Sequence, residues 1–201
     1  MDSNGDVDFH FDFSSPYGYL GSELVEGLAA RHGRRVRWRP MLLGVVFKST
    51  GAVPLTSVPV KGDYSRRDFA RSARFHGVPF AMPSRFPIPT QAAARIVLWQ
   101  RDRGSDPAPV VHALYRAYFR DGRDISSPDV AADVAAESGL ARAEARAAVD
   151  DAAVKEALKR ENDAALAAGV FGSPFVFVGG EPFWGVDRFE QVERWLARGG
   201  F

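Results

Sequence analysis

The chain contains no cysteine, so its own side chains can supply no thiolate, disulfide, iron–sulfur ligand or cysteine-bound zinc. Its four histidines, His10, His32, His76 and His112, are scattered without HExxH or paired spacing, which argues against a metal site. No glycine-rich run fits a phosphate-binding or dinucleotide loop. What stands out is Ser14-Ser15-Pro16. Serine directly before proline pairs an N-cap with a first helical residue, because proline lacks the N–H that a helix start leaves unpaired. Such an end gathers free N–H groups and the positive pole of the helix dipole, so it favours anions. Taken alone, Ser15 is also a plain cap, a role that contributes about 1 kcal/mol. Arg66, Arg67, Arg71 and Arg74 make one basic helix face, open to reading as a solvated surface or as a seat for an anionic substrate.

Positioning these groups requires the elements around them. Val7 to Phe13 alternates apolar and polar residues, the period of a strand. Tyr17, Leu20, Leu24 and Leu28 follow at helical spacing, Gly33 stops the run, and Val36 to Met41 gives a second strand. Residues 44–63 are rich in Gly, Pro, Ser and Thr, show no sustained period and are expected to form a long loop. A helix is expected over Ser65 to His76, and the chain from Thr90 to Ala168 reads as almost entirely helical, with Ser127-Pro128 repeating the cap-plus-proline start. Phe175 to Val178 is a strand, Gly179-Gly180 a hairpin turn and Pro182-Phe183-Trp184 its partner. Asp187, with Glu190 three residues on, is expected to cap a last helix whose face is Phe189, Val192, Trp195 and Leu196.

Composition narrows the functional class. The 201 residues carry 26 Lys+Arg against 25 Asp+Glu, a formal charge of +1, so no global excess of either sign attracts nucleic acid or an anionic membrane. At 46% hydrophobic the chain can build a real core, which excludes intrinsic disorder. No stretch approaches the roughly 18 apolar residues of a membrane helix. The acidic start, MDSNGDVDFHFDF, lacks the basic and apolar regions of a signal peptide. A cytoplasmic protein is expected.

The βαβ–ββα order, with Pro174 before the third strand, resembles the thioredoxin fold with a helical insertion, as in its DsbA-like branch. This implies an α/β protein with a thioredoxin-like domain from residues 1–64 and 169–201 and an inserted helical domain at 65–168. In that branch a C-x-x-C pair marks the first strand-to-helix junction; here the positions read Ser15-Pro16-Tyr17-Gly18. A disulfide oxidoreductase is therefore excluded, but a thiolate brought in by a ligand would be stabilised at the helix start.

Phe11-Asp12-Phe13-Ser14-Ser15-Pro16-Tyr17-Gly18-Tyr19-Leu20 is similar to the opening of 2-hydroxychromene-2-carboxylate isomerases and kappa-class glutathione transferases. Gly44 to Gly51 resembles their glutathione-site loop, Gly169-Val170-Phe171-Gly172-Ser173-Pro174 their GVFG-x-P segment, and Phe183 to Arg188 their closing FWG-x-DR. Each string alone is weak, but the four come in the right order along nearly the whole chain.

The resemblance implies roles position by position. Ser15 would be the catalytic serine, hydrogen-bonding the glutathione sulfur. Lys48 would attract a carboxylate of the thiol or of the substrate; otherwise it is a solvated loop lysine. Ser173, before a cis Pro174, would pair its backbone with the cysteinyl unit; otherwise Pro174 is a strand-entry proline. Asp187 would bind the γ-glutamyl ammonium as well as cap its helix. Tyr17, Phe86 and Trp184 could wall a flat pocket for a small aromatic carboxylate. The family commonly has Asn where this chain has Ala52, and Asn, Ser or Gln where it has Val186. Each change removes a hydrogen bond worth about 0.5–1.5 kcal/mol, so another low-molecular-weight thiol is an alternative to glutathione. The implied activity is glutathione-dependent isomerisation of 2-hydroxychromene-2-carboxylate to trans-o-hydroxybenzylidenepyruvate in a homodimer without metal. A conjugating kappa-class transferase and a non-catalytic thioredoxin-fold binding module are the alternatives.

Overall fold

The computed structural model describes residues 6–201. Residues 1–5, the first part of the acidic start noted above, lie outside this range. Strand β1 (Val7–Phe11) buries Val7, Phe9 and Phe11 and turns Asp8 and His10 to the other face, as the alternation requires. It ends at Phe11, short of the expected Phe13, because the next residues form a turn. Ser15 N–H bonds back to the Asp12 carbonyl at 2.9 Å, and Ser14 N–H bonds to the Asp12 carboxylate at 2.7 Å. Helix α1 (Pro16–Arg31) follows, with Pro16 in its first turn. Strand β2 (Val36–Pro40) runs parallel to β1, in register from Val7↔Val36 to Phe11↔Pro40.

The expected loop over 44–63 is largely helical. Helix α2 spans Leu43–Thr50, a 3-10 turn spans Leu55–Ser57, and α3 (Lys61–His76) starts four residues before Ser65. Glycine, serine and threonine lower helix propensity, but α2 is started by partners remote in sequence. Leu43 N–H donates to Asp12 Oδ2 at 2.6 Å, and Leu42 N–H donates to Asn162 Oδ1 at 2.8 Å. Gly51, in the left-handed region at φ 74°, ends it.

Five further helices build the block expected after Thr90: α4 (Gln91–Asp102), α5 (Ala108–Phe119), α6 (Pro128–Glu137), α7 (Arg142–Asp150) and α8 (Ala152–Ala167). The chain then returns to the sheet. Strands β3 (Phe175–Val178) and β4 (Glu181–Trp184) form the hairpin read from Gly179-Gly180, and β3 lies antiparallel to β1. Sheet order is β2-β1-β3-β4. The final helix α9 (Phe189–Arg198) follows a 3-10 turn at Val186–Arg188. The Asp187 cap is therefore corrected: Asp187 already lies inside helical backbone, and no side chain caps α9.

One apolar core runs without a break from the sheet into the helical block. Phe11 meets Trp38 at 5.7 Å between ring centroids, Phe13 meets Tyr115 of α5 at 4.7 Å, and Tyr19 of α1 stacks on Phe119 at 5.6 Å. Each such pair adds about 0.5–1.5 kcal/mol beyond its buried area. These contacts fix α1 against α5, and so fix the turn that carries Ser15. Among the described residues, no helix is long and apolar enough to cross a membrane.

Candidate active site

Ser15 is the N-cap of α1, with extended backbone at φ −102° and ψ 114°. Its Oγ accepts the Gly18 N–H at 3.0 Å and donates its proton to the Ser173 carbonyl at 2.8 Å. The loop before β3 therefore packs directly on the helix start. The Ser173–Pro174 peptide is cis, as is Phe86–Pro87. Ser173 Oγ accepts Asp12 N–H at 3.1 Å, and Tyr115 donates its hydroxyl to the Asp12 carbonyl at 2.9 Å. The junction is too tight for a side chain at position 18. A Cβ on Gly18 would lie 2.6 Å from the Tyr115 hydroxyl and 2.7 Å from Ser173 Oγ.

Beneath this junction Asp12 is buried, at 4% exposure. Its carboxylate accepts from Ser14 N–H and Leu43 N–H and, at 2.8 Å, from the Thr90 hydroxyl. No cation pairs with it among the described residues. Burial raises its pKa above the ordinary carboxylate value, and the hydrogen bonds from Ser14, Leu43 and Thr90 work against that rise. Burial also raises the Tyr115 phenol well above its ordinary value, with the Asp12 charge adding to it. Ser14 Oγ accepts the Ile88 N–H at 3.1 Å. One carboxylate and its neighbours thus tie together the β1–α1 turn, the start of α2, the start of α4, the segment after cis Pro87 and the loop before β3.

These elements enclose a cavity of about 1740 Å³. Ser15, Ser173 and Asp187 line it, as do Tyr17, Phe86 and Trp184, so six of the residues singled out from sequence share one space. Pro174 stands behind that wall, where a Cβ on Gly21 would approach its ring to 3.1 Å. Lys48 is exposed on α2, in helix rather than in a loop, beside the lining residue Phe47 but outside the lining itself. Asp187 is exposed and lies 3.8 Å from the Arg188 guanidinium. Trp184 is half exposed; its indole meets Phe171 at 4.9 Å and covers Gly172 so closely that a Cβ there would lie 2.2 Å from Nε1. Ala52 and Val186, the two departures from the family pattern, also line the cavity.

The cavity has two ends. Around Ser15, Ser173 and the 181–190 segment its wall carries the charges of Glu181, Asp187, Arg188 and Glu190 beside the rings of Phe183, Trp184 and Phe189. Toward α3 it is aromatic, walled by Tyr17, Tyr64, Phe69, Phe75 and Phe86. There Tyr17 meets Phe69 edge-on at 5.0 Å, and Phe69 meets Phe86 at 6.4 Å. The α3 wall also carries Asp68, which accepts the Tyr17 hydroxyl. Sequence reasoning missed Asp12, Asp68, Thr90 and Tyr115. Asp12 holds the outward phase of the β1 alternation, and Asp68 sits in a helix dense with charges, so neither announces a buried or site role.

The sequence model of the DSBA-like thioredoxin domain family matches residues 6–197. The chain belongs to that family. Over 194 residues it is 28% identical to a 2-hydroxychromene-2-carboxylate isomerase of Pseudomonas putida, covering 96% of this chain and 94% of that protein. It is 26% identical over 206 residues to glutathione S-transferase kappa 2 of Caenorhabditis elegans, covering 95% and 91% of the two chains. Among solved structures, a selenomethionine 2-hydroxychromene-2-carboxylate isomerase superposes with a TM-score of 0.86 at 27% identity, covering 96% of this chain and 94% of that one. In this member of the DSBA-like family the helix start carries a serine in place of a redox pair, so what the fold offers there is an anion-stabilising donor.

The donor set fits a γ-glutamyl thiol at two of its ends. Ser15 Oγ and the α1 N-terminus face the cavity where a sulfur anion would be favoured. The exposed Asp187 carboxylate suits an ammonium. For the thiol's own carboxylates the nearby cations are Arg188 in the lining and Lys48 at the α2 rim.

Proposed function

We propose that the protein is a glutathione-dependent isomerase of a small aromatic carboxylate, interconverting 2-hydroxychromene-2-carboxylate and trans-o-hydroxybenzylidenepyruvate or a close relative. The observation that carries this reading is the two-ended cavity. A cysteine-free helix start bearing Ser15 adjoins a cis proline at one end, and an aromatic enclosure forms the other. Pockets for a single drug-sized ligand run to about 300–1,000 Å³, so a cavity of about 1740 Å³ has room for a thiol and an aromatic substrate together. The isomerases and kappa transferases to which the chain is similar support the same reading.

When bound, glutathione supplies a thiolate that adds to a conjugated carbon and later leaves it, so the former double bond can rotate as a single bond. The chain's own residues prepare that chemistry. Ser15 has one hydroxyl proton, and it now goes to the Ser173 carbonyl. Rotating Oγ–H toward a sulfur anion keeps the Gly18 N–H bond and transfers the donor to the charge. The positive end of the α1 dipole adds to that stabilisation and lowers the thiol pKa. Asp187 holds the ammonium, and Lys48 draws a carboxylate to the rim. Tyr17, Phe86 and Trp184 keep water from the reacting carbon and hold the ring in place. The reading includes a cytoplasmic setting, where reduced thiol is plentiful, and a homodimer.

The test is to supply 2-hydroxychromene-2-carboxylate with catalytic glutathione and follow substrate absorbance and free thiol together. Turnover at constant thiol is expected. Stoichiometric loss of thiol would contradict the isomerase and leave a conjugating transferase. Absence of turnover on any electrophile, with binding retained, would leave a binding module.

A further inference from the structure

At the aromatic end of the cavity, one wall carries a polar pair with no part in holding a thiol. Tyr17 lines the cavity two residues after Ser15, and its hydroxyl donates to Asp68 Oδ2. Ser72 Oγ approaches the same carboxylate oxygen at 3.4 Å. The other oxygen of Asp68 accepts from Arg71, whose guanidinium also donates to the Tyr64 hydroxyl at 2.9 Å and lies 5.4 Å over the Tyr64 ring. Asp68 side-chain exposure is 18%, so this carboxylate is sheltered and braced from behind by Arg71. Tyr17 has one proton and gives it to Asp68, so its oxygen offers a ligand lone pairs only. A ligand group that satisfies it must be a hydrogen-bond donor.

We infer that Tyr17 and Asp68 form a hydroxyl-reading, proton-accepting subsite for an aromatic substrate. This rests on the reading of the aromatic end as the substrate's seat. The substrate O–H donates to Tyr17 Oη. In ring closure, that phenol O–H bond breaks and its proton moves to Tyr17, while the Tyr17 proton moves to Asp68 Oδ2. The electron pair of the broken O–H bond forms the ring C–O bond at the ketone carbon. The second bond of the ketone C=O breaks with its electrons on oxygen, which takes a proton from water, and Asp68 later returns its proton to water; ring opening is the reverse. Tyr17 is the catalytic residue of the pair and Asp68 positions it and takes up its proton. The charged and titratable groups facing Tyr17 are Tyr64, Asp68 and Arg71 from α3 and Asp187 from the 3-10 turn. Burial, the Asp68 hydrogen bond and the Asp68 charge all raise the Tyr17 phenol above its ordinary value, so it stays protonated and ready to relay.

The experiment compares calorimetric binding of o-hydroxycinnamate and cinnamate, without glutathione, to the wild type, Tyr17→Phe and Asp68→Asn. The wild type is expected to prefer the hydroxylated ligand about tenfold. Tyr17→Phe should lose that preference and bind cinnamate as the wild type does, which also reports an intact pocket. Asp68→Asn keeps the shape and an acceptor for Tyr17, so it should hold the preference within about threefold while kcat for isomerisation falls about 100-fold at similar KM. Equal preference in the wild type and Tyr17→Phe overturns the subsite, as does loss of cinnamate binding in Tyr17→Phe. Unchanged kcat in Asp68→Asn overturns the relay. A wild type that shows the preference yet never turns over the chromene overturns the isomerase reading and the relay with it, and supports the hydroxyl subsite alone.

Discussion

Two carboxylates flanking the start of α1 meet opposite electrostatic surroundings. Asp12 is buried at the floor of the cavity and is held by three neutral donors, while Glu23, two turns into α1, lies against cations from α5. Arg116 grips Glu23 through Nε at 2.8 Å and Nη2 at 2.6 Å, and His112 reaches Glu26 at 2.6 Å beside it. Burial works against the ionised form at both places. For Asp12 it prevails and the pKa rises; for Glu23, His112 with Nδ1 3.6 Å away and the hydrogen bonds and charge of Arg116 overcome it and hold the carboxyl down at about 2. The seam between α1 and α5 neutralises its charge internally. The cavity floor instead uses backbone N–H groups and a hydroxyl, and leaves the positive end of α1 open to a ligand.

The contrast is broken most sharply by Asp12→Ala. That change orphans Ser14 N–H, Leu43 N–H and the Thr90 hydroxyl together. Unpaired buried donors cost about 1–3 kcal/mol each, and relief of the carboxylate's own burial offsets part of the loss. Urea denaturation should show destabilisation of about 3 kcal/mol, with α2 the first element to lose amide-exchange protection, because its start depends on Asp12. A loss below about 0.5 kcal/mol would mean the floor is not organised by this carboxylate.

A smaller effect belongs to the seam. Arg116 is 43% exposed on its side chain, so solvent screens the pair, and Arg116→Ala should cost about 0.5 kcal/mol. Its pH dependence sharpens the comparison. Glu23 is held below its unfolded value of 4.5, so its contribution is present above pH 4.5 and is lost as pH falls toward about 2. His112 is raised above 6.5 by its carboxylate neighbours although burial opposes them, so its contribution is complete below pH 6.5 and is lost as pH rises through the raised value. The seam is therefore strongest between about pH 4.5 and 6.5. Asp12 acts with the opposite sign: its raised value makes folding favour the protonated form, so its contribution declines as pH rises above 3.8. Stability profiles of the wild type and Arg116→Ala should converge as pH falls from 4.5 toward about 2, where Glu23 loses its charge, and stay apart above that range. A difference that persists unchanged down to about pH 2 would contradict the assignment.

The same contrast explains what could be read from the sequence. The strands, the start of α1 and the Gly179-Gly180 hairpin are written in local pattern, and four short segments carried the family and the cavity-lining Ser15, Ser173 and Asp187. Helix α2 was hidden because its first N–H groups are held by Asp12 and Asn162, which lie 31 and 120 residues away from their partners. The Asp187 cap failed because a 3-10 turn absorbs that residue before α9 begins. Asp12 and Asp68 act through long-range contacts that no spacing rule reports. What a sequence encodes by periodicity is legible; what it encodes by one side chain reaching another element is not.

The central claim is that Ser15 and the α1 start stabilise a thiolate brought by a ligand. Its most direct test is the ultraviolet thiolate absorbance of glutathione bound to the wild type and to Ser15→Ala, titrated across pH. A free cysteine thiol titrates near about 8.5, and the bound thiol in the wild type should titrate at least about one unit lower, with that shift lost in Ser15→Ala. Failure to bind glutathione at millimolar concentration, or an equal shift in both proteins, would contradict it.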